Sequence, residues 1–273
     1  MNLTYLGTNT LLLEKGASRI LIDPHFSRPG FLKLLGKIEP DTARISSGLN
    51  VLGLNALNGV LLTHTHYDHA MDAAEVINQA GGILYGSESA AKLTKGAGFS
   101  REKFRIVYPG DEAKVGAFNV TWFKSKHISF PPPLSWFMPK NGGINQTMSP
   151  PVHFWQYKSG EVYAILVDNL LVFGSAGFIP KAYSECDPKA VVLAIGGLES
   201  KSSKYLELLY ENTVIQTGAH QVLVSHWDNF FKTLDEPVQA IGFANRTICK
   251  LKQLGDHFGQ RIKVLIPGEK IEI

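Results

Sequence analysis

The sequence predicts an α/β protein in which two similar halves pack together as one domain. Each half opens with a β-hairpin and continues as a strand, a loop and a helix. Apolar residues make up 44% and charged residues 19% of the 273 residues, so the chain can bury a sizeable core and bulk disorder is excluded. No Gly/Ser-rich or Pro-rich linker separates the halves. We therefore expect residues 1–273 to form a single domain.

The first half is predicted to begin with three strands and to return to a buried strand before its first helix. The predicted strands are 3–5, 10–13, 20–22, 60–62, 83–85, 105–108, 112–115 and 118–123. Pro24 ends the third strand, and residues 27–57 are expected to form a long excursion with one short helix. Helices are predicted at 72–80, where two glycines follow, and from Ser87 to near Gly96.

The second half is predicted to repeat this order. Its predicted strands are 153–157, 162–167, 170–173, 191–195, 222–224 and 262–266. One helix is predicted at 202–211, and another begins at Glu236-Pro237, where Val238, Ile241, Ala244, Ile248 and Leu251 form an apolar stripe. The Pro-rich loop 128–151 holds six of the fourteen prolines, so we expect no regular structure there.

Charge, hydropathy and cysteine usage exclude several classes of protein. The formal charge of +3 is too small and too evenly spread to predict nucleic-acid binding. No apolar run approaches the roughly 18 residues of a transmembrane segment, and the N-terminus lacks the pattern of a secretory signal. The two cysteines form no disulfide framework. We expect a cytoplasmic protein, and the sequence leaves its oligomeric state open.

The most informative motif is Thr63-His64-Thr65-His66-Tyr67-Asp68-His69, which follows a predicted buried strand directly. In extended backbone His64 and His66 project the same way, while Asp68 and His69 fall at the turn into a helix. Imidazole and carboxylate groups are ligands of divalent zinc and similar ions. A solvated His-rich turn is the alternative, but the flanking strand is too apolar for the surface. The motif therefore predicts a metal site.

This HxHxDH string resembles the signature of the metallo-β-lactamase superfamily. The resemblance extends to Tyr5-Leu6-Gly7 and to the segment Ile20 to Pro24, and its landmarks can be placed from about residue 3 to about residue 231. The sequence looks most similar to the branch that includes L-ascorbate-6-phosphate lactonase and N-acyl-phosphatidylethanolamine phospholipase D. The resemblance implies an αββα four-layer sandwich, with two mixed sheets face to face, helices on the outer faces and metals at one edge.

The resemblance also implies two sets of metal ligands. The first metal would take His64, His66 and His127, the last of which follows a predicted strand. The second metal would take Asp68, His69 and His226. The alternatives are a surface role for His127, beside a lysine, and an ordinary core role for His226.

One family ligand is missing, because Ser175 occupies the position of the aspartate that usually bridges the two metals. A neutral hydroxyl is a poor metal ligand, so the second ion should bind more weakly unless another carboxylate substitutes. Asp228 is the first candidate for that substitution and Glu199 the second, although each could be an ordinary surface charge or helix cap. His25, just after the Asp23-Pro24 turn, is a candidate substrate contact.

The Pro-rich loop contains four large apolar residues, Phe130, Trp136, Phe137 and Met138. Since the loop follows His127 directly, it is a candidate wall of the metal site that contacts an apolar part of the substrate. A core plug or a dimer contact is the alternative.

The predicted function is a metal-dependent hydrolase. One or two divalent ions, with zinc favoured over manganese or iron, would generate hydroxide from bound water for attack on a phosphodiester, lactone or related ester. Asp68 and His226 are taken as catalytic, with Asp68 orienting the nucleophile and shuttling its proton. The partner would be a small molecule with an apolar or phosphorylated part. The alternatives are a metal-binding sensor or binding protein without hydrolysis, and an RNA-processing nuclease.

Overall fold

The computed structural model describes residues 1–132, 134–136 and 138–273. Its strands are β1 (Asn2–Tyr5), β2 (Leu11–Lys15), β3 (Ser18–Ile22), β4 (Lys37–Ile38), β5 (Gly59–Leu61), β6 (Ile83–Gly86), β7 (Phe104–Ile106), β8 (Glu112–Val115), β9 (Phe118–Lys124), β10 (Val152–His153), β11 (Tyr163–Val167), β12 (Leu170–Phe173), β13 (Ala190–Ala194), β14 (Gln221–Ser225), β15 (Arg261–Val264) and β16 (Lys270–Glu272). Its α-helices are α1 (Thr42–Val51), α2 (Tyr67–Ala70), α3 (Ala73–Ala80), α4 (Glu88–Gly96), α5 (Ser203–Tyr210) and α6 (Ala244–Phe258).

Shorter helical segments connect these elements. The 3-10 segments are Phe31–Leu35, Arg101–Lys103, Leu134–Trp136, Phe154–Gln156 and Leu198–Ser200, and a π-helical turn, Glu211–Ile215, continues α5. Within the ranges that the structure describes, no helix combines the length and the apolar character needed to cross a lipid bilayer.

Fourteen of the sixteen described strands form two seven-stranded sheets with the same pattern of strand directions, and β4 and β10 pair separately. The first runs β16-β1-β2-β3-β5-β6-β7 and the second β15-β14-β13-β12-β11-β9-β8. In the first sheet the pairings from β16 to β3 are antiparallel and those from β3 to β7 are parallel. In the second sheet the pairings from β8 to β12 are antiparallel and those from β12 to β15 are parallel. The expectation of two mixed sheets is confirmed.

Side chains that alternate along the strands fill three apolar cores. In β2, Leu11 and Leu13 belong to the core between the two sheets, whereas Leu12 belongs to the core between the first sheet and helices α1, α3 and α4. This alternation follows from the period of two residues along a strand. A third core joins the outer face of the second sheet to α5 and α6 through residues such as Leu209 and Leu251. The layers therefore follow the predicted order helix, sheet, sheet, helix.

The last helix, α6, begins at Ala244, later than the predicted start at Glu236. Asp228 and Ala240 form an antiparallel bridge instead, and the Ile241 N–H donates to the Trp227 carbonyl at 2.9 Å. Since these main-chain groups are engaged with the segment after β14, the chain cannot enter a helix until it has passed them. Of the predicted apolar stripe, Ala244, Ile248 and Leu251 lie on the helix, whereas Val238 and Ile241 precede it.

The predicted strand 153–157 is also wrong beyond its first residue. β10 is a two-residue strand paired with β4, and the chain then makes a 3-10 turn. The Gln156 side chain accepts a hydrogen bond from the His153 N–H at 2.9 Å, and the Tyr157 N–H donates to the Phe154 carbonyl at 3.1 Å. These local hydrogen bonds replace those that an extended strand would need.

Candidate metal centre

Four strands end at one edge of the sandwich, and candidate site residues follow each of these ends. His64 and His66 follow β5, His127 follows β9, Ser175 follows β12 and His226 follows β14. The short helix α2 then begins at the residue after His66, which places Asp68 and His69 on its first turn. The structure thus brings together residues that are far apart in the chain.

The first group of ligand atoms comes from His64, His66 and His127, whose closest ring nitrogens all lie within 4.8 Å of one another. The centroid of the His127 ring lies 5.0 Å from that of His64 and 4.3 Å from that of His66. His127 donates from Nδ1 to the carbonyl of Ile128 at 2.7 Å, which leaves its Nε2 free to face the group. The buried Nε2 of His64 has no hydrogen-bond partner within the described part of the chain.

The second group comes from Asp68, His69 and His226, whose ligand atoms lie within the same 4.8 Å limit. Asp68 Oδ2 is 3.2 Å from His226 Nε2 and 3.6 Å from His69 Nε2. All three side chains are at least nine-tenths buried. Each predicted ligand of the two sets is therefore found in one of the two groups.

Asp23 belongs to the site and was missed as a site residue at the sequence level. Its Oδ2 accepts a hydrogen bond from His69 Nδ1 at 2.8 Å and another from Asn9 Nδ2 at 2.8 Å, and its Oδ1 accepts from the Thr63 N–H at 2.8 Å. A carboxylate behind a histidine fixes the tautomer of the ring and raises its basicity as a ligand. The signal that the sequence offers for it is a carboxylate directly after a buried strand.

Asp228 does not supply the missing carboxylate, so the first candidate for that substitution is wrong. Its oxygens accept hydrogen bonds from Tyr5 Oη at 2.6 Å and the Thr8 N–H at 2.7 Å, and it forms a buried ion pair with Arg28. The same Tyr5 hydroxyl accepts a hydrogen bond from the His226 N–H at 3.2 Å. Asp228 therefore supports the backbone that carries His226.

His226 has a left-handed backbone conformation, with φ of 56°, which non-glycine residues rarely adopt. Its N–H also donates to the Thr8 carbonyl at 2.6 Å. Gly196 allows its ring a close approach, since an added Cβ there would lie 2.9 Å from His226 Nδ1. The position of this residue thus depends on contacts from two distant segments, one with Tyr5 and Thr8 and the other with Gly196.

The remaining candidates have three different environments. Ser175 lies at the site, where its hydroxyl accepts a hydrogen bond from the Ile128 N–H at 3.1 Å and so fixes the segment after His127. Glu199 is exposed, and it belongs to neither ligand group. His25 is buried against Tyr67, with ring centroids 5.9 Å apart, and is not among the described residues that line the adjacent cavity. The substrate contact predicted for His25 therefore stays a prediction.

A cavity of about 610 Å³ opens onto both groups. The candidate ligands that line it are His66, Asp68, His69, His127 and His226. From the Pro-rich loop, Phe130, Trp136 and Met138 line the same cavity, as the wall prediction requires. Phe137, which the prediction also included, lies outside the described residues.

The electrostatics of the site favour neutral imidazoles at His64, His66 and His127 beside the ionised Asp68, whereas Asp68 and Asp23 raise the pKa of His69 despite its burial. Burial, aided by the neighbouring histidines, lowers the pKa of His64 and of His127 well below the usual range, and burial lowers the pKa of His66 to about 4. Burial opposes ionisation of Asp68, yet the adjacent His69 and His226 prevail and lower its pKa. Neutral imidazole nitrogens and a carboxylate are the donors that divalent ions such as zinc take. The buried His64 Nε2, which has no partner among the described residues, fits that interpretation.

The fold and the cluster define a four-layer α/β sandwich protein with a metal-binding edge. Residues 3–152, just over half of the chain, match the model of the Metallo-beta-lactamase superfamily. The chain belongs to the metallo-β-lactamase superfamily. The narrower resemblance to the lactonase and phospholipase branch stays a prediction.

Curated relatives and solved structures agree with this assignment. A protein named as a metal-dependent hydrolase in Agrobacterium fabrum is 28% identical over 130 residues, which are 47% of this chain and 49% of that protein. The match thus spans about half the length of that relative. A protein of the same kind of name from Methylobacterium nodulans is 23% identical over 243 residues, 86% of this chain and 92% of that protein.

Two solved structures share the fold over their whole length. A metallo hydrolase from the archaeon Ignicoccus hospitalis is 19% identical with a TM-score of 0.57, covering 100% of this chain and 98% of its own. An isothiocyanate hydrolase from Delia radicum gut bacteria is 18% identical with a TM-score of 0.57, covering 100% and 99%. At these identities the likeness concerns the fold alone.

Proposed function

We propose that this protein is a metal-dependent hydrolase of a small molecule with an ester-type bond, as in a lactone, a carboxylic ester or a phosphodiester. The observation that carries the proposal is the convergence of five imidazoles and Asp68 in two ligand groups, all of which except His64 line one cavity. The names of the relatives from Agrobacterium fabrum and Methylobacterium nodulans, both metal-dependent hydrolases, support the same activity.

The two groups of ligand atoms have separate tasks in this proposal. His64, His66 and His127 hold one divalent ion, and Asp68, His69 and His226 hold a second. Such an ion lowers the pKa of a bound water and polarises the substrate oxygen. Zinc is the favoured ion because five of the six candidate ligands are imidazoles and the site is mostly buried, although manganese and iron accept the same donors.

The protein's own groups orient the attacking water and move its proton. Asp68 is kept ionised by its two histidine neighbours, so its Oδ2 can accept a hydrogen bond from the water and take up its proton during attack. His226 Nε2, at 3.2 Å from that oxygen, holds the carboxylate in place. Asp23 holds His69 by its Nδ1, so the ring presents Nε2 toward Asp68.

The test combines metal analysis with hydrolysis assays. The double variant His64→Ala/His66→Ala should lose at least one equivalent of metal by mass spectrometry and lose hydrolysis of a panel of esters, lactones and bis(p-nitrophenyl) phosphate. His257→Ala is the matched control, because this exposed histidine lies on α6 and outside both ligand groups. Retention of full metal content and full activity by the double variant would reject the proposal.

A second candidate function is metal binding without hydrolysis. One observation favours it: Ser175 stands where the superfamily resemblance expects a bridging aspartate, and Asp228 is occupied by Arg28 and Tyr5. The same substrate panel separates the candidates when zinc, manganese or iron is added. Tight metal binding with no turnover of any substrate would favour the binding protein.

A further inference from the structure

The walls of the cavity above the ligand groups are mainly apolar. Beyond the ligands, large apolar side chains from both halves of the chain surround its volume of about 610 Å³. The ones that matter here are Phe31, Phe130, Trp136, Met138, Phe230 and Phe231. A cavity of this size suits a ligand of the size of a typical drug.

One wall is a row of aromatic rings that begins at a candidate metal ligand. The ring centroid of Phe230 lies 5.2 Å from that of His226 and 4.5 Å from that of Phe231. Phe231 in turn lies 5.7 Å from Phe31, whose side chain is 64% exposed at the mouth. An apolar group attached next to the scissile bond can therefore lie along aromatic surface from the metal centre to solvent.

The opposite wall comes from the loop after His127. The ring of Phe130 packs against the main chain at Gly197, which has φ of 83°, and a Cβ added there would lie 2.6 Å from that ring. This close approach holds Phe130 against the loop that follows β13. Trp136, 73% exposed, continues the apolar wall outward. The two walls offer an apolar channel rather than a polar binding surface.

Cationic groups are missing from the described lining. Apart from the candidate ligands, Glu199 is the one charged side chain that lines the cavity among residues 1–132, 134–136 and 138–273, and no Lys or Arg there does so. Sites for phosphate groups use Arg, Lys or free N–H groups to replace the lost hydration. The nearby Ser175 hydroxyl already accepts the Ile128 N–H. A negative charge on the substrate would gain nothing from these walls and would face Glu199.

Resting on the proposed function, we infer that the substrate is an uncharged carboxylic ester or lactone that carries an acyl chain or an aryl group along the row His226, Phe230, Phe231 and Phe31. Hydrolysis forms a bond from the water oxygen to the acyl carbon and breaks the bond from that carbon to the alkoxy oxygen. One proton of the water passes to the departing alkoxy oxygen, and the other leaves with ionisation of the carboxylic acid product. Phosphate esters are poor substrates.

A binding experiment tests the inference without turnover. Zinc-loaded protein is titrated with 2-undecanone, 2-pentanone and decyl phosphate, and the fluorescence of Trp136 and Trp155, which both line the cavity, reports binding. The longer ketone should bind at least about tenfold more tightly than the shorter one, since each buried methylene contributes up to about fourfold. It should also bind more tightly than decyl phosphate. Equal or tighter binding of decyl phosphate, or no chain-length effect, would overturn the inference.

A kinetic experiment uses the ratio of kcat/KM for p-nitrophenyl octanoate to that for the acetate. We expect a ratio of at least about ten in the wild type and a fall of at least about threefold in Phe231→Ala, because the longer chain loses apolar contact. Phe231 contacts Phe230 rather than a ligand ring, so the ratio isolates the wall from the metal centre. Phe258→Ala is the control, since this exposed aromatic residue lies at the end of α6 and should leave the ratio unchanged.

The outcomes separate the inference from the proposed function. Faster hydrolysis of bis(p-nitrophenyl) phosphate than of the octanoate would overturn the ester inference and leave the metal-dependent hydrolase standing. A second outcome is that the ketones bind as expected but no metal-loaded form hydrolyses any ester or lactone. This outcome would overturn both the hydrolase and the ester substrate, and it would leave only the preference for uncharged apolar ligands.

Discussion

The two ligand groups of the metal centre are held in place by different chemistry. Uncharged groups contact the first directly: the Ile128 carbonyl fixes His127, and the Thr63 hydroxyl, which itself donates to Asp23, lies 3.0 Å from His64 Nδ1. Buried carboxylates hold the second: Asp23 bonds His69, while Asp228 bonds the Tyr5 hydroxyl that in turn contacts the His226 backbone. The second group should therefore be the more sensitive to a change of charge.

The buried carboxylates near the second group are not equally compensated. Asp228 faces the Arg28 guanidinium, and both side chains are almost fully buried. Asp72, three residues after His69, accepts hydrogen bonds from the Ser27 N–H at 2.7 Å and the Ser27 hydroxyl at 2.6 Å. Among the residues that the structure describes, no Lys or Arg side chain pairs with it. A buried anion with a cation beside it stays ionised at low cost, whereas one with neutral donors favours its protonated form.

The largest expected effect comes from Arg28→Met. This variant leaves Asp228 as a buried carboxylate without its cation, which should lower the free energy of unfolding by about 3–5 kcal/mol. Because the same carboxylate supports the backbone of His226, the second equivalent of metal should be lost before the first. Urea unfolding and metal analysis measure the two effects.

Lys270→Met is the matched control for Arg28→Met. The Lys270–Glu14 pair is 2.6 Å long, but the lysine side chain is 52% exposed, so its loss should cost less than about 1 kcal/mol. If Arg28→Met and Lys270→Met lowered the free energy of unfolding equally, burial of the Arg28–Asp228 pair would not make it more important to stability than the exposed Lys270–Glu14 pair.

A somewhat smaller effect is expected from pH at Asp72. Burial raises the pKa of this carboxyl group to about 6, although Ser27 donates two hydrogen bonds to it. Because the folded-state pKa lies above that of the unfolded chain, the group stabilises the fold below about pH 4, and this contribution is lost as the pH rises through about 6. Asp72→Asn should therefore gain about 3 kcal/mol of unfolding free energy relative to the wild type between about pH 4 and pH 7.

Urea unfolding measures the free energy of unfolding of Asp72→Asn and of the wild type across that pH range. The two proteins share the same histidines, so the contribution of the histidines cancels in the difference. Asp256→Asn, at an exposed position on α6, should show no such trend. A constant difference between Asp72→Asn and the wild type at every pH would contradict the raised pKa.

The smallest of these effects concerns Asp23→Asn. An amide keeps the shape of the side chain but removes the charge that orients His69, so zinc affinity of the second group should fall about tenfold to a hundredfold. Calorimetric titration should show a weaker second binding step and a less affected first one. Asp168→Asn is the control, since that carboxylate lies in the turn between β11 and β12 and bonds Lys15 instead. Equal loss from both steps would abolish the distinction between the groups.

The sequence by itself determined the class of fold and the local part of the metal centre. Strand-length apolar runs and helix caps such as Ser87 are local signals, and Ser87 does accept the Ala90 N–H. The spacing from His64 to His69 predicts two imidazoles on an extended segment and the next two ligands on a helical turn, and the structure has this local arrangement. His127 and His226 could be proposed from chain order, because each follows a predicted strand.

Tertiary structure alone decided which partners these residues have. Asp23 and Asp228 each follow a buried strand, so the sequence offers no way to see that one bonds His69 while the other pairs with Arg28. The same is true of the missing start of the last helix, which was decided by main-chain bonding between Trp227 and Ile241. Hydrogen bonds between distant segments depend on how the two sheets pack, and that packing sums many weak contacts that no short stretch of sequence contains.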